Sequence, residues 1–156
     1  MPLKVGDIAP EFTLVDTEKN KISLSDQKGN KVLLLFFPMA FTGVCTIELC
    51  SVRDDIGKYE NVNAKIFGIS VDSPFTLGKF KEDQKLNFPL LSDFNKDVSE
   101  KYGCIYDAFI GWMKGVSKRA AFVIDEKGLI QYAEILESAG DLPDFKAIKD
   151  VLEIRN

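Results

Sequence analysis

The sequence predicts an α/β fold: a central mixed sheet with helices on both faces and an N-terminal β-hairpin. Three observations carry that reading. Residues 31–37 and 64–71 are short, almost continuously apolar runs, as strands covered on both faces are. Between them lies a helical pattern over about 44–59, so the three segments make a right-handed βαβ unit of ordinary length. Shorter extended runs before and after this unit, folded back at polar turns, supply further strands.

In chain order, 9–16 and 21–24 form the N-terminal hairpin around the turn 17–20, and 25–30 leads into the central strand. Pro38 and Gly43 mark the next loop. The helix that opens around Val44 and Cys45 has Ile47, Val52 and Ile56 as inward positions. After the second buried strand, Ser73 and Pro74 give an N-cap and a first residue to a helix running to about Lys85, anchored by Phe75 and Phe80. Residues 88–93 are extended and 96–102 a short helix. The irregular, aromatic stretch 103–117 has a length uncommon for loops without a function. Residues 119–125 and 129–136 make a second hairpin, and a helix over about 142–154 closes the chain. Nothing resembling a repeat or linker interrupts 1–156, which reads as one domain.

Composition narrows the chemistry. A net charge of -4 argues against nucleic-acid or anionic-membrane partners. Residues 1–7 lack the apolar core of a signal peptide, and the run 32–37 is far too short to span a bilayer, which places the protein in the cytoplasm. The chain has no histidine, which rules out Cys-His dyads and Ser-His-Asp triads. Three scattered cysteines without histidine are a poor ligand set, and no glycine-rich phosphate loop occurs, so neither metal nor cofactor is expected.

One thiol occupies a special place. Cys45 falls in the first turn of a helix just beyond the C-terminal end of the central strand, where open α/β sheets bind ligands. A helix N-terminus favours negative charge, and the thiolate is the nucleophilic form of cysteine. Without histidine, activation must come from the helix dipole, local hydrogen bonds and a cationic side chain.

The order β-α-β, a further helix, a β-hairpin and a closing helix is that of a thioredoxin-like fold. Within it, Pro38-x-x-x-Thr42-x-x-Cys45 resembles the active-site motif of the peroxiredoxins. Val5-Gly6-Asp7-x-Ala9-Pro10-x-Phe12, Phe88-Pro89-Leu90-Leu91-Ser92-Asp93 and Arg119-x-x-Phe122-Val123-Ile124-Asp125 are similar to segments of the same family, so the resemblance covers nearly the whole chain. It implies a thiol-dependent peroxidase that reduces hydrogen peroxide and organic hydroperoxides through a sulfenic acid at Cys45. The departing oxygen needs hydrogen-bond donors placed in advance. By position the resemblance gives that task to Thr42, the amides near Val44 and Cys45, and Arg119, with Pro38 shielding the thiolate and Glu48 orienting the arginine. Expected partners are a hydroperoxide and a thiol reductant (thioredoxin, a glutaredoxin-like protein or a small thiol). The apolar segment 109–113 offers surface for a homodimer.

The second cysteine divides the branch assignment. Phe41-Thr42-Gly43-x-Cys45 looks most like the alkyl hydroperoxide reductase E-like branch, whereas Cys50 resembles the second cysteine of the bacterioferritin-comigratory (Q-type) branch. The latter implies that Cys50 resolves the sulfenic acid as a disulfide. Five residues of helix separate two positions by about 7.5 Å and about 140°, too far for a disulfide without unwinding. Cys104 matches no family motif and reads as a buried structural thiol. Two other functions stay open at this stage: a dithiol-disulfide oxidoreductase, although Glu48 stands where Cys-x-x-Cys would put its second cysteine, and a redox sensor that records peroxide without turnover.

Overall fold

The apolar run at 31–37 becomes strand β3, Lys31–Phe36, buried at every residue after the first. Its register fixes the rest of the sheet. On one side it pairs in parallel with β4, Ala64–Ser70, so that Phe36 lies opposite Ile69. On the other it pairs antiparallel with β6, Arg119–Ile124, setting Phe36 opposite Ala120. The hairpin β1, Thr13–Asp16, and β2, Lys21–Ser23, joins one edge through β5, Leu90–Ser92, while β7, Ile130–Leu136, closes the other. The seven strands run in the order β2-β1-β5-β4-β3-β6-β7. This computed structural model describes residues 3–154; the first two residues of the segment read above for a leader lie outside them.

Alternation along β3 divides the core. Leu33 and Leu35 face the helices α1, Gly43–Asp54, α3, Pro74–Gln84, and α5, Phe145–Val151, through Leu49, Val52, Leu77, Phe80 and Ile148. Val32, Leu34 and Phe36 face Phe12, Phe67, Phe122 and the short helix α4, Asp97–Lys101, with Tyr102 just after it. Both faces being covered is why the strand needs no polar residue beyond its first. Gly68 in β4 is a packing necessity, since a Cβ there would sit 2.7 Å from Leu90 Cδ2. No helix among the described residues is long and apolar enough to cross a membrane.

Three local expectations are corrected. The helix foreseen over 44–59 is two, because Asp55 leaves helical geometry between α1 and α2, Ile56–Glu60. At that break the Asp55 carboxylate is engaged by Lys149 of α5 at 2.7 Å. Ile47 points outward and is 60% exposed; the inward row is Cys45, Glu48, Leu49 and Val52. Phe75 is likewise exposed, its ring under the Lys19 ammonium at 4.8 Å, while Leu77 and Phe80 anchor α3. The N-cap of α3 is as read, with Ser73 Oγ accepting from the Thr76 amide. In the long loop, Ile110 and Trp112 stand exposed on a tight turn closed between Phe109 and Met113.

Candidate active site

The inward row of α1 carries chemistry rather than hydrocarbon at two of its four positions. Helical spacing puts Glu48 one turn after Cys45 and both under β6. On β6, alternation that sends Ala121 and Val123 toward α1 sends Arg119 the same way. The guanidinium reaches the thiol: Nη1 and Nη2 each lie 3.3 Å from Cys45 Sγ. Nη1 also donates to Glu48 Oε1 at 2.7 Å, and Nη2 to the Ala139 carbonyl at 2.9 Å. A planar fork divides its donors between two nitrogens and so spans three separated acceptors, where an ammonium has a single nitrogen.

All three side chains are hidden, with Cys45 at 1%, Glu48 at 0% and Arg119 at 1% exposure. Glu48 Oε2 and Arg119 Nε are buried with no hydrogen-bond partner. Burial pushes the Glu48 carboxyl up to about 7, against the opposing charge and hydrogen bond of Arg119. For Arg119 itself burial works toward a lower value, but Glu48 and Cys45 outweigh it and hold the guanidinium above its ordinary range.

The loop before the helix is firmly seated. Pro38 is buried directly after β3. Ala40 N–H donates to Asp72 Oδ2 at 2.8 Å, an oxygen that also accepts from the Ser70 hydroxyl at 2.7 Å. Ser92 Oγ donates to the Asp72 carbonyl at 2.6 Å, tying the loop to the ends of β4 and β5. Phe41 is held at φ +66, unusual for a bulky residue, with its ring against Phe80. Thr42 is the N-cap residue by backbone, yet its hydroxyl does not cap the helix and donates to Met39 O at 2.7 Å. The amides of Gly43, Val44 and Cys45 precede the first intrahelical bond, from Thr46 N to Thr42 O.

The structure thus brings Cys45, Glu48 and Arg119 into contact, with Thr42 and Val44 on the same turn. Cys50 lies elsewhere: half-buried against α3, its Sγ donates to Gln84 Oε1 at 3.5 Å. All three cysteines are free. Cys104 is on the opposite face of the sheet, in the cluster with Phe36, Tyr102 and Phe122. Among the described residues no group of His, Cys, Asp and Glu stands ready to hold a metal ion.

The chain as a whole has relatives. The sequence model of the AhpC/TSA family matches residues 5–133. The chain belongs to the AhpC/TSA family. It is 39% identical over 132 residues to peroxiredoxin Bcp of Escherichia coli, an alignment covering 84% of this chain and 85% of the relative. Over 153 residues it is 38% identical to alkyl hydroperoxide reductase E of Mycobacterium bovis, with 96% of each chain covered. Among solved structures, peroxidoxin BcpB of Mycobacterium tuberculosis superposes with a TM-score of 0.86 at 32% identity and 99% coverage of both chains. The protein is accordingly a peroxiredoxin, a thiol-dependent peroxidase on a thioredoxin-like fold.

Sequence reasoning missed Asp72 and Ala139. Asp72 was within reach, since Ser70-x-Asp72 is a polar pair ending a buried strand beside the loop. The Ala139 contact is a backbone carbonyl in a loop, for which side-chain identity carries no signal.

Proposed function

We propose that Cys45 is the peroxidatic nucleophile of this peroxiredoxin. Its thiolate attacks one oxygen of a hydroperoxide, the O–O bond breaks, and sulfur keeps that oxygen as sulfenic acid. The other oxygen departs as hydroxide or alkoxide and takes up a proton to give water or an alcohol. Arg119 directs two donors at the sulfur and, from there, at the oxygens arriving beside it. The Val44 and Cys45 amides and the Thr42 hydroxyl, turned from Met39 O, complete the donor set. Glu48 holds the guanidinium in orientation, and Pro38 keeps water from the thiolate. Hydrogen peroxide and organic hydroperoxides both offer the required O–O bond.

The observation that carries this reading is the pair of 3.3 Å contacts from Arg119 to Cys45 Sγ. For the second half-reaction we assign Cys50 as the resolving thiol. It attacks the Cys45 sulfenic sulfur, the S–O bond breaks, a Cys45–Cys50 disulfide forms and water leaves; a thiol reductant then supplies two electrons. Since the reduced helix keeps these cysteines on different faces, resolution requires local unwinding. Mass mapping after one equivalent of peroxide, without reductant, tests both steps. The expected product is the Cys45–Cys50 disulfide, with none formed and no peroxide consumed in Cys45→Ser. Cys45 left as sulfenic acid, or over-oxidised as readily as in Cys50→Ser, removes Cys50 from the mechanism.

A further inference from the structure

Unwinding can begin at either end of α1, and the two ends are held differently. Cys45 is gripped by the Arg119 fork, and the loop before it is pinned through Asp72. Cys50 packs at the margin of the core, and its thiol makes a long contact to Gln84 Oε1 at 3.5 Å. Its turn is held by the burial of Leu49 and Val52 and, on the polar side, by the neighbouring Arg53. The Arg53 Nη1 donates to the carbonyl of Gln84, the last residue of α3. That oxygen is one of the terminal helix carbonyls that find no amide within their own helix, and a helix C-terminus favours a cation. Arg53 Nε donates at the same time to Asp54 Oδ1 at 2.9 Å, and Asn87 Nδ2 donates back to Arg53 O at 3.2 Å. The last turn of α1 is therefore clamped onto the end of α3, with Cys50 inside the clamp.

We propose that Arg53, through Gln84 and with Asn87, is a latch that holds the Cys50 turn on α3, and that its release sets the rate at which Cys50 resolves the Cys45 sulfenic acid. The inference rests on the resolving role assigned to Cys50 above. Residues 49–54 must leave helical geometry for Cys50 to swing through about 140° toward Cys45. Among the described hydrogen bonds from residues 49–54 to other elements, the Arg53 clamp is the one made by a charged side chain, and such a bond is worth about tenfold in an opening equilibrium. The latch also sets the competition between resolution and over-oxidation. A second peroxide reaches the sulfenic acid for as long as Cys50 stays clamped. Arg53 is a positioning residue, since it touches neither peroxide nor Cys45 sulfur.

Arg53→Met, which keeps the stem and loses the clamp, tests it by rapid-mixing kinetics read at two steps. The expected result is disulfide formation about tenfold faster, less sulfinic acid at Cys45 under excess peroxide, and an unchanged first oxidation. Asn87→Ala, which leaves every charge in place, should shift the same ratio in the same direction by a smaller factor and covers the case in which Arg53→Met does not fold. A Cys45–Cys50 disulfide forming at the wild-type rate or slower in the folded variants overturns the latch alone. Absence of that disulfide in the wild type overturns the resolving role and the latch together.

Discussion

Cys45 and Cys104 are buried to the same degree, at 1% and 0% exposure, on opposite faces of one sheet. Their surroundings differ in the polar groups each thiol meets. Cys104 has a serine hydroxyl for company, Ser117 Oγ at 3.9 Å, and burial pushes its thiol up to about 12 despite that contact. Cys45 has two guanidinium nitrogens at 3.3 Å and the first turn of a helix. Burial alone penalises a thiolate; Cys45, unlike Cys104, has a buried cation in direct contact with its sulfur. The cation comes from 74 residues further along the chain, so what distinguishes the two thiols is the pairing of β6 with β3.

The sharpest way to break this contrast is to take the fork away. Arg119→Met should slow the first oxidation of Cys45 by roughly 10²-fold or more, the scale of losing preorganised donors in a dry site. Removing Arg119 alone also strands Glu48 as an uncompensated buried acid, so the measurement belongs in Arg119→Met with Glu48→Gln as well as in the single variant. Arg119→Lys should recover only part of the rate, because one ammonium cannot span Cys45, Glu48 and Ala139 together. Single-turnover stopped flow with peroxide reads all three. An unchanged rate in the folded double variant would show that proximity of this arginine to sulfur is not what makes Cys45 react.

A second, smaller effect concerns the charge count. One guanidinium on β6 faces two groups on α1 able to carry negative charge, Cys45 and Glu48, and among the described residues no second cation is hydrogen-bonded to either. Glu48 titrates near 7 in the fold and near 4.5 in the open chain. The native state therefore holds a proton the unfolded state has shed across that window. Stability contributed by the protonated acid is present below about pH 4.5 and lost as pH rises toward 7. Urea unfolding of the reduced protein at pH 5 and pH 8 should show the decline. Glu48→Gln, which keeps the shape without titrating, should flatten it, and identical slopes in the two proteins would place the titration elsewhere.

Much of this was legible in the residues, and the failures have physical causes. Strands β3 and β4 announce themselves because both faces are covered along most of their length, which favours apolar residues at nearly every position after Lys31 and Lys65. The N-cap of α3 was equally plain, since Ser73-Pro74 has a local mechanism. Helix α1 was misread at Ile47 because its inward row includes Cys45 and Glu48; a periodicity search for hydrocarbon passes over a face devoted to chemistry. At the break, Asp55 is engaged by Lys149, almost a hundred residues away, and no local pattern announces such a tertiary ion pair. Arg119 was assigned by family resemblance and strand order. Its orientation toward Cys45 follows from the alternation of β6 once the register with β3 is known.

The smallest expected effect falls on Cys104. It lies against Phe36, Phe122 and Tyr102, in a cluster that would be poorer by one soft, apolar atom if sulfur became oxygen. The single Ser117 hydroxyl proton has Lys118 O at 2.9 Å and the Cys104 carbonyl at 3.3 Å as acceptors, which leaves the Oγ lone pairs as an acceptor for a new hydroxyl at 104, so the loss is mainly that of the sulfur's apolar contact. Cys104→Ser should therefore cost about 1 kcal/mol of stability, the ordinary scale for a mild core substitution, and leave the first oxidation of Cys45 unchanged. Alkylation adds a reading of the thiol itself. With its thiol pushed up to about 12 and no exposed surface, Cys104 in the native protein should be modified only as fast as the surrounding cluster opens. Labelling of Cys104 at a rate matching Cys45, followed by mass mapping under native conditions, would erase the contrast between the two thiols.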